Sequence, residues 1–183
     1  MATIKSSKGS ESQIVSVGTY RPARLVPNSE IVDRIDSTDE WIQQRTGIES
    51  RRFAGDDETV ISMAKAACEI ALQRAKLTIA DIDTVIVSTI SYPFQAPSAA
   101  TELINELGNP KAAAFDISAA CAGFCYGVGM ASDLVRSGTS KNVLVVGVEK
   151  LSDYTDPDDR ATAFIFADGA GAGGETLGPA WTA

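Results

Sequence analysis

The chain has 183 residues, 44% hydrophobic and 22% charged, which is enough for a buried core and ordinary for one globular domain. A net charge of −8 and a pI near 4.5 argue against a general nucleic-acid-binding or anionic-membrane surface. No apolar run approaches the roughly 18 residues of a membrane span, and residues 1–12 are polar, without the apolar centre of a signal peptide.

Residues 1–12, rich in Lys, Ser and Gly, are expected to form a mobile arm ahead of a folded domain over 13–172, with 173–183 an irregular end. Ile14, Val15 and Val17 mark a first strand over 13–20, and Pro22 and Pro27 punctuate the loop that follows. Asn28 or Ser29 is placed to cap a short helix reaching Arg34. Ser37, Thr38, Asp39 and Glu40 before Trp41 and Ile42 read as a helix N-terminus with acids in its first turn, and Gly47 reads as its stop. That helix sets Trp41 and Arg45 one turn apart on one face.

Val60, Ile61, Ala64, Ala67, Cys68, Ala71 and Leu72 recur at helical spacing over 58–75. Thr84, Val85, Ile86 and Val87 form a short β-branched run suited to a buried parallel strand. A Pro-containing loop over 91–97 leads to a helix ended near Leu107 by Gly108 and Pro110. A third strand over 112–118, a helix over 121–137, a fourth strand over 143–148 and a fifth over 162–167 complete the order, with the Gly-rich stretch from Asp168 read as a tight turn. The alternation predicts an α/β fold with a mostly parallel five-stranded sheet covered by helices on both faces.

Cys121 stands where a strand passes into a helix among small residues, Ala119, Ala120, Ala122 and Gly123. Unpaired N–H groups in a helix's first turn stabilise an anion, so this position favours the thiolate, the form that attacks a thioester carbonyl. The chain has no histidine, so an imidazole base would have to come from outside these residues. Cys68 falls within an apolar helical pattern and reads as core, and Cys125 as packing. Three cysteines without disulfide spacing suit a reducing, cytoplasmic compartment. No metal site is expected, since Cys121 and Cys125 lack both a CxxC pairing and a histidine. Arg45, Arg51 and Arg52 are candidates for a local basic patch.

Over nearly its whole length the chain resembles the N-terminal half of β-ketoacyl-acyl carrier protein synthase III, of the thiolase-like superfamily. The resemblance rests on ordered stretches: 37–42 with 45–48, 96–100, 115–124, 159–162 and 164–172. It implies a thiolase-like half in which Cys121 takes a short acyl group from acyl-coenzyme A. Trp41 and Arg160 would sandwich the adenine, and Arg45 would lie near the nucleotide phosphates. Phe94, Gln95 and Ala96 would belong to a loop at the acyl pocket and dimer contact. The family condenses the acyl group with malonyl-acyl carrier protein, works as a homodimer and carries no permanent cofactor, and its catalytic histidine and asparagine lie in a second half absent here. No nucleic-acid or membrane partner is implied.

Three alternatives stand beside condensation: a non-catalytic or truncated half that needs a second half or partner, transfer to a non-malonyl acceptor, and a cysteine hydrolase. The last is disfavoured because such enzymes usually pair the thiol with histidine.

Overall fold

A computed structural model describes residues 11–178. The expected arm over 1–10 and the final residues 179–183 lie outside the described residues. The strands are β1 (Glu11–Tyr20), β2 (Arg24–Pro27), β3 (Ser50–Phe53), β4 (Thr84–Ser88), β5 (Ala113–Ile117), β6 (Asn142–Lys150) and β7 (Asp168–Gly178). The helices are α1 (Asp39–Thr46), α2 (Val60–Ala75), α3 (Ala99–Leu107) and α4 (Gly123–Arg136).

The main sheet has the order β1-β7-β6-β4-β5. Central β4 pairs in parallel with β5 and β6, whereas β7 is antiparallel to both β6 and β1. Four strands therefore point one way and β7 opposes them. The period-2 alternation of side chains divides the core. Val85 and Val87 of β4 join Leu144 and Val146 of β6 against α2 and α3, while Ile86, Val143 and Val145 face Ala131 and Val135 of α4. Helices cover both faces, as the alternation predicts.

Local chemistry sets the helix ends. Thr59 and Ser62 form a reciprocal capping box at the start of α2. Thr38 accepts the Trp41 N–H at 3.1 Å at the start of α1, and left-handed Gly47 (φ 71°) ends that helix. The close seat of α2 on the sheet depends on Gly18 of β1, where a Cβ would lie 2.1 Å from the Ala67 carbonyl oxygen.

A second, two-stranded sheet pairs β2 with β3 beside a smaller core of Val26, Ile35, Ile42 and Phe164. Neither short strand is visible in the residue pattern. Arg51 and Arg52 form no basic patch. Arg51 is buried and donates to the Val26 and Phe164 carbonyls and to Asn28 Oδ1, and Arg52 donates to the Pro22 and Ala23 carbonyls. Burial lowers the Arg51 pKa. These guanidiniums satisfy backbone acceptors between segments.

The remaining differences fall at the two ends and in one helix. The helix expected up to Arg34 is only a 3-10 turn, Asn28–Glu30, because the Asn28 side chain turns inward to donate to Asp39 and the Ile48 carbonyl. Residues 11 and 12, assigned to the arm, already belong to β1. The fifth strand is not 162–167, which forms turns, but β7, built from the Gly-rich stretch read as a turn and irregular end. β7 is held by ladders on both sides, so backbone pairing rather than side-chain propensity makes it a strand. Asp168 anchors its start by accepting from Ala54 N, Ser152 N and Ser152 Oγ at 2.6–2.9 Å.

Candidate active site

Cys121 lies in the 3-10 turn Ala120–Ala122, between β5 and α4, and is exposed. Ala120 holds a left-handed backbone (φ 45°), a conformation that costs a non-glycine residue on the order of 1 kcal/mol or more. That turn presents Cys121 above the end of the sheet. α4 begins directly against β4: a Cβ on Gly123 would lie 1.9 Å from Ser88 Oγ, so only glycine fits this approach. Ala122 at the N-cap has no side-chain acceptor, leaving first-turn N–H groups of α4 without a side-chain partner.

Two clefts meet at Cys121. The smaller, about 290 Å³, runs over Ser88, Phe124 and Gly147 toward the start of β7. The larger, about 610 Å³, is lined by Ile90, Tyr154, Asp159, Thr162 and Phe166. Ala120, Glu149 and Leu151 border both. Asp159 in the larger cleft accepts from the Thr162 hydroxyl and from Ala161 N, and these bonds hold its carboxyl below the usual range, the Thr162 bond foremost.

The segment around Asp159 leads to the expected coenzyme A residues. Arg34 pairs with Asp158 at 2.8 Å and Arg160 with Asp36 at 3.3 Å, tying 158–160 to the chain just before α1. The Trp41 ring meets Phe164 edge-on at 5.4 Å. The Arg45 guanidinium, not that of Arg160, covers Trp41, 4.6 Å from the ring centroid. The structure thus gathers Trp41, Arg45 and the 158–164 segment, with Arg160 engaged by a carboxylate.

Phe94, Gln95 and Ala96 are exposed and border neither Cys121 cleft. Cys68 is fully buried, which pushes its thiol up and leaves it inert. Cys125 is exposed rather than packed. Among the described residues no group of three His, Cys, Asp or Glu side chains could hold a metal ion, and no helix is long and apolar enough to cross a membrane. Glu149 is, with Ile90, Leu151 and Tyr154, among the cleft residues that the residue pattern did not point to. Its only signal was an acid at the end of an otherwise apolar strand.

The α/β layers and the cysteine turn between β5 and α4 define a domain of the thiolase-like class. Residues 115–173 match the family model of 3-oxoacyl-[acyl-carrier-protein] synthase III. The chain is 53% identical over 173 residues to β-ketoacyl-[acyl-carrier-protein] synthase III 1 of Streptomyces avermitilis, covering 94% of this chain and 49% of that protein. It is 54% identical to the namesake in Streptomyces coelicolor, covering 94% and 50%. Among solved structures, the priming β-ketosynthase of a polyketide pathway superposes with a TM-score of 0.90 at 44% identity, covering 97% of this chain and 53% of that one. Synthase III from Aquifex aeolicus gives 0.88 at 41% identity, covering 91% and 54%. By sequence and by fold the chain resembles the N-terminal half of the β-ketoacyl-acyl carrier protein synthase III family. It spans about half the length of the curated relatives it matches.

Proposed function

We propose that Cys121 accepts a short acyl group from acyl-coenzyme A. The observation that carries this reading is the exposed thiol at the junction of two clefts, the larger of them lined by Asp159 and Thr162, which flank Arg160 in the chain. The thiolate attacks the thioester carbonyl, an S–C bond to Cys121 forms, the bond to the coenzyme A sulfur breaks, and that sulfur leaves and takes up a proton. Trp41 offers a ring face for the adenine, and Arg45 and Arg160 offer guanidiniums for adenine and phosphates. No permanent cofactor is required.

In a complete enzyme the acyl-cysteine would condense with malonyl-acyl carrier protein, losing carbon dioxide and starting a fatty acid or polyketide chain. The histidine and asparagine that serve this step would come from a second half. The chain's lack of histidine supports that division. The position of β5 at the edge of the sheet among the described residues supports a homodimer, with Phe94, Gln95 and Ala96 reaching a partner's acyl pocket. The free thiols support a cytoplasmic setting.

A second reading, a half that acts only with a second half or partner, is favoured by the exposed apolar surface of α4, where Phe124, Tyr126 and Met130 face solvent. Intact mass after incubation with acetyl- and branched short-chain acyl-coenzyme A separates the two. One acyl adduct that disappears in Cys121→Ala is expected. A folded chain that takes no adduct would refute autonomous loading and support the second reading.

A further inference from the structure

Outside the residues already assigned, the most densely bonded group beside Cys121 is the Glu149 carboxylate near the end of β6. It accepts from Ile90 N at 3.0 and 3.2 Å, from Thr89 Oγ1 at 3.2 Å and from Ser91 Oγ. Ser91 Oγ in turn accepts Lys150 N at 2.9 Å, and Ser91 N donates to Thr89 Oγ1 at 3.2 Å. Thr89 and Ser91 are buried, so the hydroxyl bonds are the shielded side of this network, while Ile90 is exposed to the cleft. Ile90, between them, points into the larger cleft with Cys121.

We propose that Glu149 is a positioning residue: its carboxylate fixes the Thr89–Ser91 segment and so sets the position of Ile90, the wall that selects which acyl group reaches Cys121. This rests on the reading of Cys121 as the acylated thiol. Because its oxygens are committed to donors from the loop, Glu149 acts through Ile90 rather than as a base. The chemistry demands a carboxylate. Two hydroxyls and one backbone N–H all donate toward it, and an amide would turn an NH₂ donor against at least one of them. Aspartate, one methylene shorter, would not span the gap. The same loop is held at its far end by Asp116, which accepts from Ala99 N and Ala100 N at 2.8 Å. The 89–98 segment is thus tied at both ends by carboxylates, and loosening the Glu149 end frees the part that borders the thiol.

The test compares Glu149→Gln and Ser91→Ala with the parent, all in a Cys125→Ser background so that Cys121 is the single exposed thiol. Three readouts are taken: hydrogen exchange over 89–91, the ratio of Cys121 modification by N-ethylmaleimide and N-cyclohexylmaleimide, and the ratio of adducts from acetyl- and branched short-chain acyl-coenzyme A. Loss of one or two hydrogen bonds should speed exchange over 89–91 and shift both ratios by about 2- to 10-fold. The iodoacetamide rate at Cys121 should stay within about twofold, because that small reagent does not sense the wall. A uniform fall in every rate together with a lower Tm would overturn the proposal, since a merely structural residue lowers all rates alike. Unchanged ratios would overturn it as well. If the parent takes no acyl adduct, the acyl-loading reading fails, while the maleimide ratio and hydrogen exchange still decide the role of Glu149.

Discussion

Replacing Gly123 with alanine would place a Cβ 1.9 Å from Ser88 Oγ and 3.2 Å from Ser88 Cβ. Ser88 is nearly buried at the end of central β4, flanked by β5 and β6, so it has little room to move. Relief requires α4 to slide off the sheet or Ser88 to leave its rotamer. Overpacking of this kind costs about 1–3 kcal/mol. Alanine's helix preference over glycine, about 1 kcal/mol in a helix interior, offsets part of it, though less at a first helical position. A net loss of about 1–2 kcal/mol corresponds to a fall in Tm of about 2–8 °C for a domain this size. Thermal unfolding of the parent, Gly123→Ala, Ser88→Ala and the double variant measures it. Because Ser88→Ala removes the atom at 1.9 Å, the double variant should regain most of the loss, a coupling that independent sites would not show. Cys121 alkylation in the same proteins should slow in Gly123→Ala, since the turn that presents the thiol shifts with α4. A Tm at or above the parent's in Gly123→Ala, or losses that simply add, would refute the claim that this contact seats the helix.

Two further outcomes follow from charge. Glu175 on β7 is 4% exposed and its Oε2 has no hydrogen-bond partner among the described residues; burial raises its pKa, with a Ser12 hydrogen bond opposing. The folded state therefore binds a proton more readily than the unfolded state, so stability should fall as pH rises from the ordinary glutamate value near 4.3 through the raised folded one. Glu175→Gln should raise Tm at neutral pH and flatten that part of the profile; parallel profiles for the two proteins would rule this out. Asp36→Asn removes the carboxylate that engages Arg160 and, being a surface pair, should strengthen coenzyme A binding by about 1.5- to 5-fold at low salt, less at high salt. Calorimetric titration showing equal or weaker affinity would contradict the assignment of Arg160 to the nucleotide.

Much of this domain follows from local pattern. The 3.6-residue recurrence from Val60 to Leu72, the β-branched runs of β4 and β6, and the stops at Gly47 and Gly108 are short-range properties, and each element lies within a few residues of its expected place. Cys121 is legible for the same reason, because a strand, a run of small residues and a helix adjoin it in the chain. What the pattern could not decide depends on partners distant in sequence. A run with glycine at 169, 171, 173 and 174 has low strand propensity, yet it becomes β7 because β1 and β6 supply hydrogen bonds on both sides. Arg51 reads as a surface cation until Val26, Asn28 and Phe164 surround its guanidinium. The edge-on contact of Phe164 with Trp41 and the engagement of Arg160 by Asp36 depend on how α1 meets the 158–164 segment, whereas Arg45 lies over Trp41 by helix spacing alone. Glu149 acquires its place only when β6 brings it beside the loop at 89–91 and the turn at Cys121. Propensity and periodicity act over one or two turns of chain, whereas backbone satisfaction and buried charge are settled by whichever donors and acceptors the folded layers bring together.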